Sequence, residues 1–360
     1  MRTLTRYVGR DVLAATMLIF AALLSLFAFF DLINELGDVG RGSYTIVNAL
    51  TYVALHLPAR AYELFPVSAL IGTLFAISQL VGNSEYTVMR VSGASLVQVG
   101  WAVVRVGIPL ALATLLAGEF VAPPAERLAQ SLRNAARGDS SSVVAQQFDS
   151  GFWFKENLTF VNVRSVLADL TLVGVRIYEF DDALRLSRIR TAESGQFVET
   201  GRWRLANVRT TQFTADSATM TTTPEQQWET VLRPSILTVY QVAPERLELK
   251  TLYDNINVLS GNAQKTSRFE IAFWNKIFYP AAVLVMMIVA LPFAHFQRRS
   301  GGVGVRIFTG TMIGLLFYLS GRLFSNLGVL NDWPPLFSAV FPLVAFSALA
   351  VGLLAYIERR

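Results

Sequence analysis

The residues best suited to recognition chemistry fall in one hydrophilic stretch, Gly82-Asn83-Ser84-Glu85-Tyr86-Thr87-Val88-Met89-Arg90-Val91-Ser92-Gly93-Ala94-Ser95, set between two long apolar runs. It holds an acid, Glu85, a base, Arg90, apolar side chains three apart at Tyr86 and Met89, and a glycine, Gly93, able to end a helix. Two readings are open: a solvated loop with one helical turn, or a short helix lying on a membrane face and gripped by another protein. Chemistry of the enzymatic kind is missing elsewhere. None of the lysines (Lys155, Lys250, Lys265, Lys276) follows a glycine, which excludes a Walker A phosphate loop. His56 and His295 stand far apart without ligand spacing or partner carboxylates, so each is expected to be a lone interfacial residue. Gly-x-Ser-x-Gly and His-Glu-x-x-His motifs are absent, as is cysteine. No catalytic residue and no metal ligand is expected.

At 360 residues the chain could hold two or three soluble domains. Its 53% hydrophobic residues, 25 phenylalanines and positive mean hydropathy instead indicate a membrane protein. The net charge of +5 is modest, and the basic residues are mostly arginines scattered through apolar sequence, which suits anchoring at membrane faces. No interleaved basic and aromatic stripe is present, so nucleic acid is not expected as a partner.

The elements that must position the hydrophilic stretch can be read in order. A charge-free run from Val12 to Phe30 follows Arg2, Arg6 and Arg10, and approaches the ~20 residues that span a bilayer. No small-residue cleavage site follows at Asp31-Leu32-Ile33-Asn34-Glu35, so it is expected to persist as a first helix. Further spans are expected from Leu64 to Val81, with Pro58 and Pro66 near its start, and from Leu96 to Val121, interrupted by Arg105 and ended by Ala122-Pro123-Pro124. Three more follow: Ile277 to Gln297, Ile307 to Gly321 and Trp333 to Ile357.

Between the third and fourth spans the chain changes character. A short polar helix from Glu126 to Arg137 is closed by Gly138-Asp139-Ser140-Ser141-Ser142. Segments rich in Val, Thr, Phe and Trp predict strands at Gly151–Lys155, Leu158–Val166, Leu172–Phe180, Gln196–Thr200, Trp203–Thr211 and Trp228–Leu232. Glu156-Asn157 and Thr200-Gly201 read as hairpin turns, and Arg202 and Arg204 alternate with Trp203 and Leu205 as in a sheet with one wet face. Tyr253 to Arg268 reads as a helical return. The expected fold is a membrane α-helical protein of six spans, arranged 3+3, with an inserted all-β domain of sandwich or jellyroll type. Its expected domains are 1–122 (with the short helix at about 83–95), 123–268 and 269–360.

Six spans put both termini on one face. Short segments on that face carry Arg2, Arg6, Arg10, Arg90, Arg298, Arg299, Arg306, Arg359 and Arg360, whereas the opposite short loops carry Arg41 and Arg60. By the positive-inside rule the termini and Gly82–Ser95 are then cytosolic, and the β domain is across the membrane, in a bacterium the periplasm. Ionisable groups within spans are costly and mark candidate sites. Arg105 lies ~13 Å into the third helix at ~1.5 Å per residue, near the reach of snorkelling. Arg322 lies near the outer end of the fifth. Glu119 and Asp31 also lie at outer ends, and mid-membrane carboxylates of the kind a proton-driven carrier uses are not found.

This plan resembles the LptF/LptG family, the paired permeases of the lipopolysaccharide exporter. The likeness is carried by Asn83-Ser84-Glu85 running to Met89 and Ser92-Gly93, and by Gly118-Glu119-Phe120-Val121-Ala122-Pro123. Also similar are Phe273-Trp274-Asn275-Lys276-Ile277-Phe278-Tyr279-Pro280, Gly304-Val305-Arg306-Ile307-Phe308-Thr309-Gly310 and the turn Gly42-Ser43-Tyr44. It covers essentially the whole chain and is greatest to the LptG side. The resemblance implies a subunit with no ATPase activity of its own, paired with an LptF-like permease. It also implies an LptB-like ATPase dimer supplying ATP and Mg, an LptC-like single-helix protein beside the first span, and a periplasmic bridge protein. The implied cargo is lipopolysaccharide, entering a cavity lined by the first and fifth spans. The hydrophilic stretch then corresponds to a coupling helix, with Glu85 as the coupling carboxylate, Tyr86, Val88 and Met89 in the ATPase groove, and Arg90, Ser92 and Gly93 beside them.

An apolar chamber with a basic rim suits a phosphorylated lipid, and Leu23, Phe27 and Phe30 on the first helix and Phe317 and Phe324 on the fifth are candidates to line it. Here the sequence departs from the family, whose lysines near the outer end of the first span are replaced by Asp31, Gly37 and Asp38. Arg41, Arg60 and Arg322 are expected to hold phosphate instead, arginine being suited to it by bidentate hydrogen bonds. In a second reading Asp31, Glu35 and Asp38 bind divalent ions that bridge to the lipid. The alternative functions are an LptF-type partner, another ABC lipid or lipoprotein permease, and a membrane-anchored periplasmic binding or assembly factor.

Overall fold

The computed structural model describes residues 2–83, 85–93, 95–137, 151–167, 171–199, 201–214, 217–230, 232, 244–261, 264–296 and 303–359, with the side chains at 2–5, 87, 90, 96, 97, 152, 295, 296 and 303 outside the description. Its helices are α1 (Arg2–Leu36), α2 (Ile46–Gly82), α3 (Glu85–Val91), α4 (Leu96–Leu116), α5 (Ala122–Arg137), α6 (Leu249–Gly261), α7 (Ser267–Phe296), α8 (Val303–Leu330) and α9 (Pro335–Glu358). Six helical segments among them are long and apolar enough to cross a membrane: α1, α2, the run from α4 through α5, α7, α8 and α9. The chain forms two compact units, one of Met1–Gly37, Leu50–Ala129 and Ser267–Arg360, the other of Asp38–Ala49 and Gln130–Thr266.

Five of the six spans are longer than the apolar runs predict, and the second and third show why. The second begins at Ile46 rather than Leu64, passing through Pro58 and Pro66. Its apolar pattern is broken by Arg60 and Glu63, but these charges are neutralised in place: Arg60 pairs with Asp31 of α1 and with Glu63 on the next turn. The third does not stop at Ala122-Pro123-Pro124. A π-helical turn, Ala117–Val121, joins α4 to α5, so the prolines fall in the first turn of α5, where their missing amides cost least.

Within the membrane unit, α2 is the central post. Seventy-eight per cent of its apolar window is buried, against 11%, 17% and 11% for α1, α8 and α9. Leu70, Leu74 and Ile77 of α2 meet Val99 and Val103 of α4 and Val283, Met286 and Met287 of α7 in one core. Lipid tails are as apolar as these side chains, so close fit rather than water exclusion holds such helices together. Small residues supply the fit. A Cβ on Gly72 would collide with the Thr16 backbone of α1, and Cβ atoms on Gly310 and Gly314 of α8 would lie 2.9 and 3.0 Å from Ile71 and Val67 of α2.

The other unit is built on one antiparallel sheet in the order β1 (Phe152–Glu156), β2 (Thr159–Val166), β3 (Leu172–Phe180), β4 (Leu186–Glu199), β5 (Arg202–Phe213) and β6 (Ala218–Glu229). Each strand pairs with its neighbours in sequence, whereas a jellyroll needs strands that cross between sheets. The β1–β2 turn uses Asn157 at φ 52°, a left-handed value that asparagine tolerates. One face is a core: Val161, Val163, Val175, Ile177, Trp203 and Leu205 are buried there, joined by Val258 of α6. The Trp203 indole donates to the Leu232 carbonyl at 2.8 Å. β4 and β6 are longer than the segments Gln196–Thr200 and Trp228–Leu232 predict: the residues added to β4 lack a regular apolar alternation, and those added to β6 are mostly polar and almost wholly exposed. Gly138-Asp139-Ser140-Ser141-Ser142 and Thr200 lie outside the described residues.

Candidate functional site

The hydrophilic stretch contains a short helix rather than a single helical turn. Gly82 ends α2, α3 occupies seven residues, and Gly93 at φ 88° turns the chain toward Ser95. Ser95 and Gln98 form a reciprocal capping box that starts α4. Glu85 is fixed at the head of α3, accepting from the Tyr7 hydroxyl of α1 at 2.8 Å and from the Asn83 amide at 3.4 Å. The guanidinium of Arg306 on α8 comes within 3.7 Å of where a Cβ on Gly82 would be, a cation beside the carboxyl end of α2.

This geometry redistributes the expected contact residues. Tyr86 is buried in the core of the membrane unit and Met89 packs against it, so the pair three apart faces inward rather than outward. The outward apolar side chains are Val88, 64% exposed, and Val91, 85% exposed, with Ser92 and Gly93 beside them. Val91 was not singled out because the Tyr86–Met89 spacing pointed to the other face. The Arg90 side chain lies outside the described residues, as do those of Arg2, Arg298, Arg299, Arg360 and His295.

The three arginines expected to hold phosphate differ in their surroundings. Arg60 donates to both oxygens of Asp31, at 2.7 and 2.8 Å, and to Glu63 at 3.1 Å, so its charge is compensated on the spot. Arg41 is exposed and donates to Asp38 at 2.6 Å. Arg322 is exposed, its Nε donating to the Tyr318 hydroxyl at 3.1 Å and its guanidinium lying 5.4 Å from that ring. The divalent-ion reading fares worse. Asp31 is taken by Arg60, Asp38 by Arg41, Arg133 and Arg137, and Glu35 is buried. Among the described residues no group of three or more His, Asp or Glu side chains could hold a metal ion. Near Asp38, Ser43 donates through its amide (2.7 Å) and hydroxyl (2.9 Å) to the Ala136 carbonyl, so the Gly42-Ser43-Tyr44 turn caps the end of α5.

The candidate lining residues divide. Phe27 and Phe30 are exposed on α1 and Leu23 is half-buried. Phe317 instead packs edge-on against Phe346, and Phe324 stacks on Phe341 at 4.4 Å, so both serve the α8–α9 contact. The open face of α8 is formed by Phe308, Leu316, Leu319 and Leu323. Arg105, with Trp101 four residues before it, is also exposed on α4.

A model of the lipopolysaccharide export system permease LptF/LptG family matches residues 6–356. The chain belongs to that family. It is 33% identical to the lipopolysaccharide export system permease protein LptG of Escherichia coli strain K12 over 353 residues, 98% of this chain and 97% of the relative. To the LptG protein of Haemophilus influenzae strain Rd it is 33% identical over 354 residues, 98% of each chain. LptF/LptG membership together with six apolar helices makes the chain a multi-pass inner-membrane permease subunit, not an enzyme.

Stretches that carry the likeness to LptF/LptG meet in the folded chain. Glu119, in the π turn, forms a buried ion pair with Lys276 of α7 at 3.0 Å. Gly118 lies flat against the Tyr62 ring, which sits 4.5 Å from that of Tyr279, whose hydroxyl donates to the Glu63 carbonyl at 2.8 Å. His56 is likewise not a lone interfacial residue. It is buried, 2.6 Å from Glu126 of α5, with Tyr52 stacked on its ring. Neither pair shows in linear spacing; the available signal was that charged groups inside spans require partners. Lys276→Met, which leaves the Glu119 charge uncompensated, is expected to cost about 3–5 kcal/mol. Adding Glu119→Gln should recover most of that loss, as read from thermal melts of the purified protein; equal melts of the single and double variants would contradict the pairing.

Proposed function

We propose that the chain is the LptG-type permease half of an ATP-driven lipopolysaccharide extractor, paired with an LptF-like permease. An LptB-like ATPase dimer supplies ATP hydrolysis and Mg, with an LptC-like single-helix protein and a periplasmic bridge protein completing the path. Both termini and α3 face the cytosol. The β domain is periplasmic, and its antiparallel sheet hands cargo onward. The observation that carries this reading is α3 itself: a helix of one outward apolar edge, Val88 and Val91, whose opposite side, Tyr86 and Met89, is embedded in the core. Tyr86 and Met89 belong to the core that α2, α4 and α7 share, so a push on the outer edge is passed into that core. The full-length likeness to LptG relatives favours the LptG over the LptF assignment.

Glu85 has a defined part in this scheme. Its bond from Tyr7 ties α3 to the start of α1, so one carboxylate holds the docking helix to the span that flanks the cargo path. Glu85→Ala and Glu85→Lys are expected to leave insertion and the partners' ATP hydrolysis in place while lowering lipopolysaccharide release from proteoliposomes by tenfold or more, about 1.4 kcal/mol of coupling. Normal export by both variants would falsify the role.

Cargo enters from the outer leaflet along the open faces of α1 and α8. Leu23, Phe27 and Phe30 meet acyl chains, while Phe317 and Phe324 keep the α8–α9 wall rigid behind Phe308, Leu316 and Leu319. Within the membrane unit Arg322 carries the phosphate contact, because Arg60 is already saturated by Asp31 and Glu63. Arg322→Ala is therefore expected to slow export several-fold, of the order of one charge-assisted hydrogen bond. Arg60→Ala should instead lower the melting temperature by stranding Asp31; a stable Arg60→Ala protein with a specific export defect would reverse this assignment.

A further inference from the structure

The face of the β sheet opposite its core is not a plain solvated surface. Registers across the first three strands align two rows on it, Lys155–Phe160–Tyr178 and Trp153–Asn162–Arg176. Trp153, 51% exposed on β1, stacks on Tyr178 at 5.9 Å with the ring planes only 19° apart. Phe160 meets Phe180 edge-on at 5.6 Å, and the Lys155 ammonium lies 5.5 Å over the Phe160 ring. Arg176 is exposed, and the Arg164 side chain lies along Gly174, 3.0 Å from where a Cβ would be, so this glycine leaves room for the arginine to lie flat. No carboxylate stands in either row; the nearby Glu179 faces the other way and is taken by Arg188 and Arg190.

We propose that this aromatic and basic face of β1–β3 binds the phosphorylated saccharide head of the cargo. The inference rests on the permease reading above and extends it to a site outside the membrane unit. Sugar rings present polarised C–H edges to an aromatic face, whose quadrupole is negative, and so stack on rings such as Trp153 and Tyr178. The phosphates that decorate such a head meet Lys155, Arg164 and Arg176, with arginine able to hold them bidentately. A neutral glycan would need no cations, and an acyl chain would need no exposed charges between the rings. The face fits a ligand that is both saccharide and anionic.

The test uses the full-length chain reconstituted with its partner subunits. The probe is a fluorescently labelled lipopolysaccharide oligosaccharide, stripped of all acyl chains but retaining its phosphates, followed by anisotropy. The wild-type complex should bind it, and binding should weaken by about fivefold or more in Trp153→Val and in Lys155→Gln, the scale of one aromatic or cation contact. The dephosphorylated oligosaccharide should bind about as weakly as the Lys155→Gln variant binds the phosphorylated one. Both variants should melt as the wild type does, since the side chains replaced are at the sheet surface. Equal binding by wild type and variants would overturn the proposal, as would variants that lose adhesion to anionic phospholipid vesicles while keeping the oligosaccharide. If wild-type proteoliposomes extract lipopolysaccharide but the oligosaccharide finds no site on this face, the permease reading stands and only this inference fails.

Discussion

Ionisable groups buried within a span need partners, and this constraint organises the membrane unit. Among the described residues three contacts meet it. Arg60 and Asp31 tie α2 to α1, Glu119 and Lys276 tie the π turn to α7, and His56 and Glu126 tie α2 to α5. Breaking a buried pair costs more than the pair itself contributes, because the survivor keeps its desolvation penalty. Each pair therefore fixes which helices are neighbours more firmly than the apolar surface around it, which lipid would solvate equally well. The long helices follow from the same pairing. α2 can run as one helix from Ile46 to Gly82 through Arg60 and Glu63 because their partners are within reach.

The ionic ties sit on a frame of close backbone contacts. Gly72 against Thr16, and Gly310 and Gly314 against Ile71 and Val67, bring α1 and α8 onto α2 at distances a larger side chain would forbid. Packed elements of this kind pass on displacement rather than absorb it. Tyr86 and Met89 root α3 in that frame, and Glu85 binds it to Tyr7. A force on Val88 and Val91 thus reaches the helices that share this core, and the coupling role proposed for α3 rests on that connection.

Much of this was legible in the sequence. Charge-free runs reveal six spans, alternation reveals a sheet with Trp203 and Leu205 inside, and the acid, base and glycine around Glu85 and Gly93 reveal α3. What escaped is physical in origin. Span ends were hidden wherever charges or prolines interrupt the apolar pattern, as at Arg60 and Pro123, because pairing and a π turn act through partners far away in sequence. The added halves of β4 and β6 stay hidden because neither alternates: that of β4 is rich in charged and small residues and half-buried, that of β6 is exposed. The facing of α3 was reversed because Tyr86 and Met89 carry a helical spacing that says nothing of which side meets the core. At the candidate site, residue types point to Glu85 and Val88 but not to the equally outward Val91, and point to Arg60 as a phosphate ligand without showing its carboxylate partners.

The chain contains no cysteine, so single cysteines report without interference. The most direct test of the account places one at Val91 or at Tyr86 and applies a short thiol-to-amine cross-linker to membranes that hold the partner ATPase. The account predicts an adduct between the Val91→Cys permease and the ATPase, strengthened when nucleotide closes the ATPase dimer, and none from Tyr86→Cys. An adduct from Tyr86→Cys with none from Val91→Cys would contradict it.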